Sequence, residues 1–223
     1  PIDTVTFTRP EGKWKSAPDG LLDAILTVRP FVHTELQTWA SCICLQPDGV
    51  FATNNKCLVK AACAIEQKAL LPVWAVDFVL AAKGTLLSTI FSENNVCFLW
   101  EDGLWLRTQL VQGELPESIN KLLASIPGGK KMDAIDDDWR QAIQPVLDLS
   151  ENEVLITREK IIGGTALSKV EQGIRSTSDG VCFDPKLLSP VLAVATHWLL
   201  SAYPNPVPFR GDRLKGLIVG RQK

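Results

Sequence analysis

The stretch at residues 86–116 constrains the fold more than any other part of this chain. It contains three runs rich in β-branched and aromatic residues, separated by Asn94-Asn95 and Asp102-Gly103 and ended by Gly113 and Pro116. Short turn sequences between such runs predict three consecutive antiparallel strands. A meander of this kind, placed after an apolar helix, indicates a scaffold that contacts other macromolecules rather than a catalytic pocket.

Composition limits the classes of function that this chain can have. Its 223 residues allow one large domain or two of roughly 100 residues each. The 23 basic and 25 acidic residues give a net charge of −2. A protein that binds nucleic acid over its whole surface is usually basic, so contact with nucleic acid requires cations gathered on one face.

The six cysteines do not form a metal or disulfide pattern. They lie mostly in apolar, strand-like runs, and no C-x-x-C pair occurs. We therefore expect reduced, partly buried thiols and no metal site. The sequence shows no signal peptide and no apolar run of the roughly 18–20 residues that a membrane span needs. We expect a soluble, cytoplasmic protein without membrane contact.

The order of predicted elements repeats in the two halves. The first half predicts a strand, a helix, three strands, a helix and the meander, at 1–17, 21–32, 39–46, 50–53, 58–65, 72–82 and 86–116. The second half predicts a helix, two strands, a helix and three strands, at 136–149, 153–158, 165–171, 184–196, 197–202, 206–210 and 214–219. We predict an α+β protein of two tandem modules, 1–127 and 135–223, joined by a linker at 128–134.

Proline at position 190 leaves two readings of the last helix open. Either the helix begins at Asp184-Pro185 and kinks at Pro190, or Ser189 is the true N-cap and Pro190 the first helical residue. The pair Gly163-Gly164 lacks a following glycine pattern, so a hinge or hairpin is favoured over a dinucleotide site.

Motifs for catalysis are weak. His33 and His197 are the only histidines, and no G-x-S-x-G motif accompanies them, which disfavours a Ser-His-Asp triad. The run Ser125–Lys131 superficially resembles a phosphate loop. It has Ala124 where that loop needs glycine, and Lys131 where it needs serine or threonine. We predict a solvated linker there, and no enzyme activity.

Three adjacent carboxylates at Asp136-Asp137-Asp138 could ligate Mg²⁺. Acidic residues at the start of a helix more often cap it and complement its dipole. We therefore predict capping and expect no metal or cofactor.

Basic residues accompany all four predicted helices, at Arg29, Lys83, Arg140 and Lys186. On a single helix such a cation would indicate an ordinary solvated face. Four of them in repeated modules raise the alternative of a surface that faces phosphates.

Four stretches give the chain a resemblance to a known family. Residues 19–32 look like the helix that opens a module in that family. Residues 50–58 look like the segment Ala-Thr-Asp-Gly-His-Arg-Leu of its bacterial members. Residues 109–116 are similar to Ser-Arg-Leu-Ile-Glu-Gly-x-Phe-Pro, with Ile126-Pro127 matching a closing Leu-Pro, and 217–221 stand where a Met-Pro-x-Arg-like run ends the chain. In this order and spacing they resemble the DNA polymerase sliding clamps, the ring-shaped processivity factors.

The chain also departs from that pattern. Asn54-Asn55 replaces Asp-Gly, and Lys56-Cys57 replaces His-Arg. A third module is absent, as in the two-module clamps of phages and eukaryotes. The resemblance therefore implies a homotrimer, in which six modules complete a ring, and a phage protein acting in the cytoplasm of its host.

The resemblance implies a function without bond chemistry. Helices would line a hole around double-stranded DNA without reading its sequence, with Arg29, Lys83, Arg140 and Lys186 facing the duplex. A polymerase and a clamp loader would insert short apolar peptides into a groove between modules. The groove residues implied by the motif match are Thr53, Leu58, Pro116, Asn120, Ile218, Val219 and Arg221. For Leu58, Ile218 and Val219, plain core packing is the competing interpretation.

Two other functions remain open from the sequence. The helix at 73–82 is poor in cations, which motivates a clamp-fold protein that does not encircle DNA, such as a monomeric processivity subunit or a decoy for clamp-binding peptides. An enzyme that uses the cysteines or the acidic triplet has little support.

Overall fold

The computed structural model describes residues 10, 12–33, 39–113 and 116–221. Most of the predicted strand at 1–17 lies outside these residues. Within them, five α-helices form: α1 Leu21–Val28, α2 Val73–Ala81, α3 Glu117–Ala124, α4 Asp137–Leu149 and α5 Pro185–Val194.

Sixteen strands are formed by the described residues. In the first half they are β1 Lys15–Ser16, β2 Cys42–Gln46, β3 Gly49–Thr53, β4 Cys57–Ala61, β5 Ala69–Pro72, β6 Leu86–Phe91, β7 Asn95–Trp100 and β8 Trp105–Gln109. In the second they are β9 Asp133–Ala134, β10 Val154–Ile156, β11 Lys160–Gly164, β12 Lys169–Gly173, β13 Val181–Phe183, β14 His197–Trp198, β15 Val207–Arg210 and β16 Leu214–Ile218.

The two halves have the same topology, which confirms the prediction of tandem α+β modules. Each half runs through one strand, one helix, four strands, a second helix and three strands. The strands form two four-stranded sheets, β1-β6-β7-β8 and β12-β11-β10-β13, and one eight-stranded sheet, β5-β2-β3-β4-β16-β15-β14-β9. Each strand of one module thus has a counterpart in the other, from β1 and β9 through to β8 and β16. Helix α3 lies outside the repeat, in the connection between modules.

The joint between modules is the antiparallel ladder of β4 and β16 in the eight-stranded sheet. Leu58 stands opposite Leu217 and Cys57 opposite Ile218. Because successive side chains point to opposite faces, these neighbouring pairs lie on different sides of the sheet. Cys57 and Ile218 belong to the main core, whereas Leu58 and Leu217 belong to a smaller apolar cluster.

The main core fills the space between the sheets and the helices α1, α2, α4 and α5. In α1, Leu21, Ile25 and Val28 recur at helical spacing and are all buried. The predicted helix at 21–32 ends earlier than expected. Pro30 has no backbone N–H to donate, and the chain tightens into a 3-10 turn at Arg29–Phe31.

The second apolar cluster, which we call the outer cluster, lies on the opposite face of the eight-stranded sheet. Helix α3 covers it, with Ile119 and Leu123 packed against strand residues. The buried members of the outer cluster are Cys42, Cys44, Phe51, Leu58, Leu70, Leu123, Ile126 and Leu217.

Several predicted elements need correction. Helix α3 was not predicted. The strand predicted at 165–171 is wrong in part, because Thr165 Oγ1 accepts the N–H groups of Leu167 and Ser168 in a turn that joins β11 to β12. The two-glycine segment therefore leads into a hairpin. In α5, Asp184 is the N-cap, accepting the N–H of Lys186 at 2.9 Å, and Pro190 lies inside the helix.

Asp136 is the N-cap of α4, as predicted, and its side chain accepts the backbone N–H of Trp139 at 2.9 Å. We expect Asp136→Ala to lower the free energy of unfolding by about 1 kcal/mol, because an orphan donor of the first turn loses its acceptor. Urea denaturation measures this change. Asp136→Asn keeps an acceptor and should be nearly neutral. An equal loss in Asp137→Ala, which removes only a first-turn charge, would contradict the capping role.

Candidate DNA-facing and partner-binding surfaces

The four helices of the repeat form a layer against the sheets. Helix α1 packs on β3 and β4 and touches α2, while α4 packs on β11 and β12 and touches α5. The resemblance to sliding clamps implies that this layer presents four cations to DNA.

Arg29 forms an ion pair within the helix layer. Its guanidinium forms a two-pronged ion pair with Asp77 of α2, with Nε at 2.7 Å from Oδ1 and Nη2 at 3.0 Å from Oδ2. This hydrogen bonding raises the pKa of Arg29 and lowers the pKa of Asp77. The pair joins the end of α1 to α2 and leaves little net charge for a ligand.

Arg140 is also engaged inside the protein. Its two terminal nitrogens donate to the backbone carbonyls of Leu192 and Ala195, at the C-terminal end of α5. A cation at that end of a helix satisfies carbonyls that have no helical partner and complements the helix dipole. Lys83 and Lys186 are exposed, and neither forms an ion pair with a described residue.

The remaining surface of the layer is acidic and apolar. The helices themselves carry five aspartates, at positions 23, 77, 137, 138 and 148. Leu26 of α1 is 59% exposed, and Trp74 and Phe78 of α2 are 56% and 63% exposed. Large apolar side chains are more exposed here than expected for a surface that attracts phosphates.

Thr53 and the following turn form a tightly bonded corner of the predicted peptide groove. The Thr53 hydroxyl donates to the carbonyl of Cys57 at 2.7 Å and accepts the N–H of Asn55 at 3.1 Å. Asn54 Oδ1 accepts the N–H groups of Lys56 and Cys57. Asn55 has φ of 67°, a left-handed conformation that glycine adopts freely and asparagine adopts better than most residues. The replacement of Asp-Gly by Asn-Asn therefore keeps the turn.

Strand alternation separates two of the predicted groove residues. Leu58 lies on the outer face and belongs to the outer cluster, directly opposite Leu217. Ile218 is fully buried on the inner face, in the main core. The position that faces the same side as Leu58 is Leu217, which the motif match missed and which the alternation of β16 could have identified.

The last described residues are tied to both modules. The N–H of Val219 donates to the carbonyl of Lys56 at 2.8 Å, and that of Arg221 to the carbonyl of Cys182 at 2.8 Å. Arg221 also lies 3.9 Å from a carboxylate oxygen of Asp184. Val219 and Arg221 are exposed, so this segment lies at the surface beside the Thr53 turn.

Pro116 and Asn120 belong to the start of α3, the helix that covers the outer cluster of the eight-stranded sheet. Pro116 is the N-cap of α3, and Asn120 is exposed on its first turn. Helix α3 packs on the outer cluster, which contains Leu58 and Leu217, but Asn120 lines a separate cavity with Gln46 and Leu70. The structure therefore does not bring all seven predicted groove residues together.

Other candidate chemistry finds little basis in the described residues. Burial raises the pKa of the Cys44 and Cys57 thiols to about 12, so their thiolates are scarce at neutral pH. In the described part of the chain, no three His, Cys, Asp or Glu side chains cluster as metal ligands. None of the described helices is long and apolar enough to cross a membrane.

Comparisons with known proteins give matches among solved structures alone. No family model matches the sequence, and no curated protein matches it. The structure resembles Caulobacter crescentus pol III beta with a TM-score of 0.76 at 15% identity, over 100% of this chain and 70% of that one. It also resembles the DNA polymerase sliding clamp of Pseudomonas aeruginosa, with a TM-score of 0.73 at 13% identity over the same shares.

A third solved structure shows a similar likeness. The beta subunit of a Streptococcus pyogenes DNA polymerase gives a TM-score of 0.71 at 16% identity, over 99% of this chain and 69% of that one. The likeness covers both modules and their joint. The chain therefore has the fold of the DNA polymerase sliding clamps.

Proposed function

We propose that this protein is a sliding clamp that closes as a homotrimeric ring around double-stranded DNA and tethers a replicative polymerase. One observation carries the proposal. The two modules are joined by β4 and β16. The counterparts of these strands, β12 and β8, each lie at one end of a four-stranded sheet. Within the described residues neither end strand has a further neighbour, so each presents an unpaired edge.

The two unpaired edges, of β12 and β8, correspond in the repeat to β4 and β16, the two strands that pair with each other at the joint. Pairing β12 of one protomer with β8 of the next would repeat the β4–β16 contact between chains. Such a head-to-tail contact closes a ring when its rotation is about 120°. Three chains would then supply six modules, and every β12 and β8 edge would be paired.

The counterpart register can be derived from the repeat. Val59 of β4 corresponds to Val170 of β12, since each is paired with the second inward residue of the preceding strand. Gly216 corresponds to Leu106, since each stands opposite a fully buried phenylalanine. Val170 and Leu106 would thus face each other across the interface. Both are half-buried and apolar in the single chain, which suits further burial.

The peptide groove of the proposed clamp is the surface around Thr53, Leu58, Leu217 and the later part of α3, where Leu123 joins the outer cluster. It combines buried leucines with a rim of amide and hydroxyl groups. An apolar floor with few polar groups suits a short apolar peptide from a polymerase or loader. The DNA contact rests on Lys83 and Lys186, because Arg29 is paired with Asp77 and Arg140 donates to the carbonyls of Leu192 and Ala195.

Two measurements test the proposal together. Light scattering at increasing concentration should give three times the 24.5 kDa mass of one chain. The assembled protein should stay on nicked circular DNA during gel filtration and slide off after the circle is linearised, because the link is topological. A strict monomer at high concentration would overturn the ring.

A second function is favoured by the surface of the helix layer. Besides Asp77, which is paired with Arg29, four aspartates oppose the cations there, and Leu26, Trp74 and Phe78 are exposed, which suits protein contact better than a duplex. This candidate is a clamp-fold protein that binds clamp-directed peptides without encircling DNA. Equal behaviour on circular and linear DNA, or no retention on either, would favour it over the ring.

A further inference from the structure

Helix α3 ends in a way that leaves backbone acceptors without helical donors. The carbonyl of Leu123 would normally accept the N–H four residues later, but that residue is Pro127, which has no N–H. The carbonyls of Ile126 and Pro127 lie beyond the helix, which ends at Ala124. All three acceptors are therefore open at the end of α3.

The second module supplies the missing donors. Lys215 of β16 places Nζ 2.7 Å from the carbonyl oxygen of Leu123. Arg210 of β15 donates from Nε to Pro127 at 2.6 Å and from Nη2 to Ile126 at 3.3 Å. Hydrogen bonds from charged donors are stronger than neutral ones, and cations at a helix C-terminus also complement its dipole.

These two cations are held together against their mutual repulsion. Burial lowers the pKa of Lys215, and the nearby charges of Lys60 and Arg210 lower it further. The charge of Asp48 acts in the opposite direction on the pKa of Lys215, and the carbonyls at the end of α3 add acceptors for both cations.

We infer that Arg210 and Lys215 form a latch by which the second module fixes α3 over the outer cluster, and that they are positioning residues for the α3 side of the peptide groove. The latch joins the connection between modules to β16, which forms the joint, and to its neighbour β15. The role of α3 as a groove wall rests on the proposed function, but the hold on α3 itself does not.

Lys60 provides a matched control. It stands directly opposite Lys215 in the β4–β16 ladder, so the two lysines share one face of the sheet. Its ammonium pairs with Asp48 and lies 4.9 Å from the ring centre of Phe51, and it makes no hydrogen bond to α3. Removing Lys60 takes away repulsion from Lys215 while leaving the latch intact.

Amide hydrogen exchange followed by mass spectrometry tests the inference on the full chain. We expect Lys215→Met and Arg210→Met each to speed exchange across α3 by about tenfold, with α4 unchanged. Lys215→Arg should restore slow exchange, because it keeps a charged donor. Lys60→Met should leave α3 exchange the same or slower.

The outcomes separate a latch from a general loss of stability. Faster exchange in α3 and α4 together, in both variants, would show a general destabilisation of the strands and would overturn the inference. Unchanged α3 exchange in both variants, or an equal rise in Lys60→Met, would overturn the inference. None of these results depends on ring formation or peptide binding, so failure of the proposed function is recognised separately by mass and DNA retention.

Discussion

Val170→Lys is expected to convert the proposed ring into single chains. Val170 is half-buried on the free edge strand β12, at the position whose counterpart in the joint, Val59, is fully buried. Closing the ring would bury the new ammonium beside Leu106 of the neighbouring protomer without a partner, at a cost of several kcal/mol per interface. Lysine on an edge strand is also a common way in which proteins prevent strand pairing. The mass by light scattering should fall from three chains to one.

Ile162→Lys is the matched control for that experiment. Ile162 is a half-buried, β-branched residue in β11 of the same sheet, one strand in from the edge. The same substitution there changes charge and local packing but not the edge. It should leave the mass unchanged. Loss of the trimer in both variants would point to damage of the sheet rather than of an interface, and a trimer that survives Val170→Lys would exclude this edge.

Local patterns predicted many of the repeated elements, but not β5, β9 or β13. The strand predicted at 197–202 is a two-residue strand, His197–Trp198, followed by a 3-10 turn at Leu200–Ala202. The meander at 86–116 forms β6, β7 and β8, and the acidic triplet begins α4, because turn and capping chemistry are encoded by neighbouring residues. Helix α3 was missed because its apolar face has few residues, chiefly Ile119 and Leu123, within a polar stretch. Its signal was Pro116 followed by Glu117, a proline and an acid at a helix start.

The charge of the helix layer could not be predicted from local sequence. Arg29 is neutralised by a residue 48 positions away, and Arg140 donates to carbonyls 52 and 55 positions away. Which cation meets which acceptor depends on how the helices pack, and helical spacing carries no information on that. The same reason explains Ile218: the motif match located the segment, but the face of each residue followed from its register with β4.

Gly216→Ala should produce the largest loss of stability among single-methyl substitutions at the joint. A Cβ at this position would lie 2.3 Å from Cζ of Phe209 and 2.6 Å from the carbonyl oxygen of Leu58. The carbonyl is backbone within β4, so it cannot move without disturbing the ladder that joins the modules. Overpacking of this kind typically costs about 1–3 kcal/mol, and we expect the upper end of that range in urea denaturation.

Gly173→Ala is the control, because it is also a strand glycine but has no atom within 4 Å of a new Cβ. It should be neutral or slightly stabilising. A double variant then divides the cost of Gly216→Ala between its two clashes. Phe209→Leu shortens the side chain that the new methyl group meets. Measured against the Phe209→Leu single variant, Gly216→Ala should therefore cost less, a partial recovery, whereas the contact with the Leu58 carbonyl remains. Full recovery would mean that the joint tolerates the methyl group and that the ring alone resists it. No recovery would mean that the backbone contact between β4 and β16 decides the stability of the joint.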